Sequence, residues 1–248
     1  MDDANKRVRH RAEKKLYDAT VSGDVAEVKE ILRKNPTLNV NWKNEAEYDW
    51  TALHIACSDG HDSIVLILLA HPDINVNVKN IDGITPFLSA CAIGRTACAI
   101  PLLRDSRVLV NEPDNAGSTP LKDIISSGHL AILKWWIAAG LLDDFDVIAD
   151  SISATRNPEK EAWESRENFQ ERSSLLPSLG GLLQGLRKNP TKIWTEVREE
   201  LGITGQSSTS FVANSLTYSS SLFRILCDHP TKAHQSTVRR ISLLPSWP

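Results

Sequence analysis

The chain has 248 residues, of which 41% are hydrophobic, so it can hold one long repeat array or two modest domains with a sizeable core. Its formal net charge of −3 argues against bulk nucleic-acid binding, which needs a strongly basic footprint, and no specific nucleic acid is expected. No apolar run approaches the roughly 18 residues that span a bilayer, so no membrane insertion is expected. The charged start lacks the apolar core of a secretory signal, which favours a cytoplasmic location with a nuclear alternative.

The first eleven residues form a basic segment that we expect to be flexible. It carries Lys6, Arg7, Arg9 and Arg11. Such a cluster serves either an anionic partner or nuclear targeting, or it is simply a solvated, frayed chain end. The second interpretation is favoured, because basic terminal clusters are commonly just solvated.

A repeat with a constant step of 34 residues occupies the next part of the chain. Thr51, Thr85 and Thr119 each stand where a helix begins, because a threonine hydroxyl accepts an orphan backbone N–H. Proline follows two of them at the first helical position, where a missing N–H does no harm. Glycines nine residues after each threonine (Gly60, Gly94 and Gly128) favour a helix end in a left-handed conformation. Each repeat therefore predicts a short inner helix.

An outer helix is predicted after each inner one. The run from Ile64 to Leu69 is apolar around most of its circumference, which suits a helix pressed on its own partner and on both neighbouring units. A period of about 33 residues built around Thr-Pro-Leu-His-x-Ala is the signature of an ankyrin unit, and this stretch resembles the ankyrin family. The resemblance implies an all-α ankyrin-repeat solenoid, made of helix-turn-helix units with β-hairpin or loop fingers, plus a helical C-terminal extension.

The predicted array covers residues 12–140. A weaker copy at 12–48 is shifted by 37 residues from the next unit and has polar residues where a terminal unit meets water, so it is interpreted as the cap repeat. The following repeats are 49–82, 83–116 and 117–140.

The first finger, residues 43–50, is predicted to be longer, more acidic and more aromatic than the others. It lacks the turn glycine found at Gly83 and Gly117 and holds most of the three inserted residues. Insertions in repeat proteins often map to the binding face. A tolerated surface loop explains the insertion equally well, because loops accept added residues at low thermodynamic cost.

Three positions within the repeats carry specific expectations. His54 resembles the family's structural histidine, which implies hydrogen bonding within the stack. Pro101 interrupts an apolar outer run and is expected to bend or shorten that helix, since an interior proline costs about 3 kcal/mol. Trp135 and Trp136 are adjacent and cannot face the same way, so one is expected to pack inward.

No catalytic residue, metal site or cofactor is predicted. Cys57 and Cys91 occupy equivalent places in stacked units, about 8–10 Å apart and beyond the ~7 Å reach of a disulfide, so both are expected to be small buried hydrophobes. No cysteine has metal-ligand spacing, and the phosphate-loop, dinucleotide, zinc-protease and nucleophile-elbow motifs are all missing from the sequence.

The last third of the chain is less informative. Residues 141–202 form either a degenerate last repeat or a helical cap, because the pentapeptide 187–191 copies 33–37 letter for letter. Pro190 opens an amphipathic helix that ends near Gly202. Residues 203–248 are a Ser/Thr-rich tail that we expect to be partly disordered.

The resemblance implies a non-catalytic scaffold or adaptor, a monomer that binds another protein or peptide on a concave surface of fingers and inner helices. Trp50 and Ile84 are the expected anchors, although Trp50 packing on the cap repeat is the alternative. The sequence leaves open a regulatory or targeting part of an enzyme, and an oligomer scaffold. The predicted partner-binding residues are Glu47, Tyr48, Trp50, Ser58, Asp59, Asn80, Ile81, Asp82, Ile84, Ile93, Asn115, Ala116, Ser118 and Ser127.

Overall fold

The computed structural model describes residues 3–141 and 166–203. The chain divides into two compact units, Met1–Leu133 and Lys134–Pro248. The described elements are α1 (Asp3–Val21), α2 (Val25–Lys34), a 3-10 helix (Glu45–Glu47), α3 (Ala52–Asp59), α4 (Asp62–Leu69), α5 (Pro86–Ile93), α6 (Thr96–Arg104), α7 (Pro120–Ser126), α8 (Leu130–Ala138), α9 (Arg166–Lys188) and α10 (Pro190–Glu200). The division between the units falls inside α8.

The inner helices begin and end where the repeat predicts. The side chains of Thr51, Thr85 and Thr119 each accept the backbone N–H three residues later, which satisfies one orphan donor at the start of α3, α5 and α7. Gly60 and Gly94 end α3 and α5 in the left-handed region. Helix α7 ends earlier, at Ser126, and Gly128 follows with a φ of 77°.

The first unit is a stack of helix pairs, which confirms the predicted all-α solenoid. The inner helices pack side by side in the order α1, α3, α5, α7, and α2, α4 and α6 form the outer layer. Leu53, Ala56 and Ile64 are fully buried between the layers. Cys57 and Cys91 are buried and free, as predicted, and burial raises the pKa of both thiols.

Side chains in the turns of successive units tie each inner helix to the next unit. Arg95 donates from Nε to the carbonyl of Ser58 at 2.8 Å, and the Nε2 of His129 lies 3.1 Å from the carbonyl of Ala92. Both carbonyls lie in the last turn of an inner helix and have no partner within it. A cation or imidazole from the following unit thus caps the helix that precedes it.

Two segments differ from expectation. Residues 3–11, predicted to be flexible, belong to helix α1, where neither glycine nor proline interrupts residues 3–21. Pro101 lies inside α6 without shortening it, since α6 has nine residues and α4 has eight. The buried side chains of Cys98, Leu102 and Leu103 hold that helix in place and offset the single backbone hydrogen bond that proline removes.

The second unit contains the end of α8 and helices α9 and α10. Residues 166–188 form one helix of 23 residues with Pro177 inside it, rather than the helix pair of a further repeat. Trp136 is fully buried, which fits the prediction that one of the two adjacent tryptophans packs inward. Its indole N–H donates to the carbonyl of Leu141 at 3.0 Å. The predicted helix from Pro190 is present and is followed by Gly202 with a φ of 69°.

Arg198 holds the ends of two helices together within the second unit. Its guanidinium donates to the carbonyl of Ala138 at 3.1 Å and to the carbonyl of Ile203 at 3.3 Å, and it lies 4.6 Å from the centre of the Trp194 ring. One carbonyl lies at the last residue of α8 and the other just beyond α10, and helix dipoles favour a cation at both ends. The predictions for residues 142–165 and 204–248, including Cys227 and the disordered tail, lie outside the described residues.

Candidate interaction surface

Three short loops, which we call the fingers, precede the inner helices at residues 44–50, 80–84 and 114–118. Each is closed by one backbone hydrogen bond across its base. The amide of Asn44 donates to the carbonyl of Trp50 at 2.9 Å, and the same bond joins Asn80 to Ile84 at 3.1 Å and Asp114 to Ser118 at 3.0 Å. The fingers are therefore one structural feature repeated in three successive units.

The second and third fingers owe their shape to one acceptor side chain each. The Oδ1 atom of Asn80 accepts the amides of Asp82 and Ile84 at 3.0 and 2.8 Å. Asp114 does the same for the third finger. Because the Asn80 side chain bonds the backbone of its own finger, it is only 5% exposed and has a structural role. Its role in partner binding stays a prediction.

The first finger is longer, as predicted, and it contains the 3-10 helix Glu45–Glu47. Tyr48 and Asp49 take the left-handed conformation that glycine supplies in the other fingers, with φ values of 56° and 61°. The hydroxyl of Tyr17 on α1 donates to Glu47 at 2.5 Å. Burial, together with this carboxylate, raises the pKa of Tyr17. The insertion is thus fixed to the cap repeat, and it leaves the Tyr48 side chain 64% exposed.

Hydrogen bonds join the three fingers into one row. The amide of Ile81 donates to the carbonyl of Tyr48 at 3.1 Å. The amide of Asn115 donates to the carbonyl of Asp82 at 2.9 Å, and its side chain donates to the carbonyl of Ile81 at 2.9 Å. The tips are therefore held at a fixed spacing. The fingers then lose less conformational entropy when a partner binds.

Side chains at the base of the row add a second set of links, which the sequence analysis did not identify. Lys43 donates to the carbonyl of Lys79 at 2.7 Å, and Lys79 donates to the carbonyl of Pro113 at 2.9 Å. Asn41 likewise bonds the backbone of residues 73 and 75 through both atoms of its amide. The repetition of lysine at a 36-residue step was the available signal.

His54 has the structural role that the resemblance implied. Its Nδ1 atom accepts the backbone N–H of Thr51 at 3.2 Å, and Nε2 lies 2.9 Å from the carbonyl of Ile84 in the next unit. Because a carbonyl only accepts, the proton of the neutral ring is on Nε2. Burial lowers the pKa of His54 to about 4. This imidazole links the start of α3 to the second finger.

The predicted binding residues divide by exposure. Trp50 is half-buried, with its ring 5.7 Å from that of His54 in its own unit, so it does not project as a free anchor. Tyr48, Ile81 and Ile93 are the large apolar side chains that stand exposed among the predicted residues. The other exposed members are Glu47, Asp59, Asp82, Asn115 and Ala116, and the other half-buried members are Ser58, Ile84, Ser118 and Ser127.

Within residues 3–141 and 166–203, no group of three or more His, Cys, Asp or Glu side chains is arranged to hold a metal ion. In the same ranges no helix combines the length and the apolar character needed to cross a bilayer. Exposed apolar groups on a rigid row of fingers are suited to contact with a macromolecular partner.

The stacked helix pairs and their fingers define the first unit as a helical-repeat solenoid. Residues 3–80 match the family model described as Ankyrin repeats (3 copies). This part of the chain is therefore similar to the ankyrin repeat family.

Three curated proteins are similar to part of the chain. Human SMC5-SMC6 complex localization factor protein 1 is 32% identical over 127 residues, which is 51% of this chain and 12% of that protein. Putative ankyrin repeat protein YahD of Escherichia coli (strain K12) is 33% identical over 124 residues, 48% of this chain and 60% of YahD. Probable E3 ubiquitin-protein ligase XBOS31 of Oryza sativa subsp. japonica is 29% identical over 120 residues, 48% of this chain and 26% of that protein. The chain thus spans less than two thirds of each relative.

Proposed function

We propose that this chain is a non-catalytic interaction module, a monomeric adaptor that binds a protein or peptide on its fingers and inner helices. The observation that carries the proposal is the exposure of Tyr48, Ile81 and Ile93, at 64%, 53% and 47%, on a surface fixed by hydrogen bonds. Aromatic and large aliphatic side chains on a rigid support are the groups that dominate binding energy in protein interfaces.

The names of two relatives bear on the role and the location of this chain. One is a localization factor for a protein complex, which supports an adaptor role and favours the nuclear alternative over the cytoplasmic location. Another is a probable ubiquitin-protein ligase, which favours a second candidate in which these repeats present a substrate to an enzyme. Ubiquitin transfer by the purified full chain, supplied with activating and conjugating enzymes, would support that candidate.

Removing the exposed apolar groups tests the main proposal. In the variant Tyr48→Ser/Ile81→Ser/Ile93→Ser, we expect proteins bound by the wild-type bait to be lost, because each lost anchor costs about 1–2 kcal/mol of binding. Leu66→Ser is the matched control, since Leu66 is 54% exposed on the outer helix α4. The measurement is quantitative mass spectrometry of proteins captured from extracts of cells that express the chain.

Circular dichroism of both variants should match that of the wild type, because the altered side chains are exposed. The proposal fails if the triple variant captures the same proteins as the wild type. It also fails if Leu66→Ser loses them to the same extent.

A further inference from the structure

The charges of the repeat array are divided unevenly between its surfaces. We define the finger face as the three fingers together with helices α3, α5 and α7. It carries seven carboxylates and a single ammonium group, Lys122, whereas the rest of residues 22–133 carries seven carboxylates and eight lysines or arginines. The cap helix α1 is different, with exposed Arg11, Lys14 and Lys15, so the negative surface begins at the first finger. The seven carboxylates belong to Glu45, Glu47, Asp49, Asp59, Asp82, Asp114 and Asp123.

Exposed carboxylates of the finger face are left without a cation among the described residues. Glu45, Asp59 and Asp82 are exposed, and among the described residues none of them is in a salt bridge, whereas Asp49 pairs with Lys43 at 3.4 Å. The repeat array therefore leaves uncompensated negative charge on the finger face.

Carboxylates of the face act on two nearby groups. Burial and Glu47 raise the pKa of Tyr17 on α1, and Asp59 adds to this effect. Burial raises the pKa of Asp123 and Asp114 adds to that shift, while Ser118, Lys122 and His129 act in the opposite direction. A cationic side chain of a partner would be attracted to these carboxylates.

The apolar anchors lie among these charges. Tyr48 is flanked by Glu47 and Asp49, and Ile81 is followed by Asp82. Stacked units advance by about 10 Å, and an extended chain advances about 3.3 Å per residue. A peptide lying across the first two fingers would therefore meet two sites, each apolar and acidic, about three residues apart.

We propose that the finger face binds an extended basic segment of a partner protein, in which a lysine or arginine and an apolar residue recur about every third position. The inference deepens the proposed function and rests on it. The same negative field disfavours a nucleic acid or an anionic membrane at this face, since phosphates would be repelled.

The test uses the full chain and four fluorescein-labelled twelve-residue peptides in fluorescence anisotropy. The probe repeats Lys-Leu-Ser four times, and the comparison peptides repeat Glu-Leu-Ser, repeat Lys-Ser-Ser, or rearrange the probe so that its lysines are consecutive. We expect the probe to bind about tenfold more tightly than each comparison peptide. Its affinity should fall as salt is added, because exposed charges are screened.

Charge variants locate the site. Glu45→Gln/Asp59→Asn/Asp82→Asn should weaken binding of the probe about tenfold, because each exposed ion pair contributes a modest amount. The matched control Glu27→Gln/Asp62→Asn/Asp73→Asn removes the same charge from exposed residues outside the finger face and should change affinity by less than about threefold.

Four results would overturn the inference. The acidic peptide or the rearranged peptide could bind as tightly as the probe. The two charge variants could lose equal affinity for the probe, or a single-stranded RNA oligonucleotide could bind more tightly than the probe. A captured protein that is lost from the serine triple variant yet retained by Glu45→Gln/Asp59→Asn/Asp82→Asn would keep the proposed function and refute the basic partner.

Discussion

Lowering the pH from about 7 to about 4.5 is expected to cost the repeat array about 2 kcal/mol of unfolding free energy through His54 alone. Burial lowers the folded pKa of this imidazole to about 4, below its usual value of 6.5. Between these values the unfolded chain binds a proton that the folded chain does not, so stability falls as pH falls. The loss begins near pH 6.5 and levels off near pH 4.

The variant His54→Leu isolates this contribution. Leu88 occupies the equivalent place one unit later and is buried there, so a leucine suits this environment. The variant loses the hydrogen bond to Ile84 and is therefore less stable at neutral pH. On acidification its unfolding free energy should fall by about 2 kcal/mol less than that of the wild type. Burial also lowers the pKa of His129, and that contribution stays the same in both proteins. Urea titrations at the two pH values measure the difference, and identical pH dependence in the two proteins would contradict the role of His54.

Gly94→Ala is expected to destabilise the array by about 3 kcal/mol, whereas Gly117→Ala should cost only about 1 kcal/mol. Both glycines are left-handed, with φ values of 82° and 76°, so both substitutions carry the same backbone strain. A Cβ atom on Gly94 would lie 2.4 Å from Cε1 of His129, while one on Gly117 would have no neighbour within 4 Å. Alanine at 94 must therefore displace the ring that caps α5.

A double-mutant cycle separates strain from the steric clash. In the background His129→Ala the additional cost of Gly94→Ala should fall to about that of Gly117→Ala, because the clashing ring is gone. Urea denaturation of the four proteins gives the coupling energy. Equal costs for Gly94→Ala with and without His129 would show that the ring does not determine the requirement for glycine.

Features that act through the local backbone were predictable from sequence. Thr51, Thr85 and Thr119 cap helices, and Gly60 and Gly94 end them, because a cap hydrogen bond or a left-handed residue is specified within one turn of chain. The longer first finger was predictable for the same reason, since residue spacing shows an insertion directly.

The direction of individual finger side chains was not predictable. Asn80 was expected at a finger tip, and its side chain turns inward to accept two amides of its own finger. For Trp50 the sequence left an exposed anchor and a packed side chain open, and its ring lies beside that of His54. Both contacts are made within one unit, and the spacing of a repeat does not specify which way a side chain in a loop turns.

The sequence left two interpretations open for residues 141–202. The pentapeptide shared by 33–37 and 187–191 was consistent with a degenerate last repeat, with a helical cap as the alternative, and residues 166–188 form the single helix α9. A short shared sequence specifies the end of one helix and the start of the next. It does not specify where the preceding helix begins.

Photo-crosslinking tests the central claim, that the finger face is the partner-binding surface, most directly. Benzoylphenylalanine is placed in the full chain at Ile81 or Ile93, with Leu66 as the control on α4, and irradiated in cells. The account predicts the same crosslinked partner from Ile81 and Ile93 and none from Leu66. A partner crosslinked from Leu66 but from neither finger-face position would contradict it.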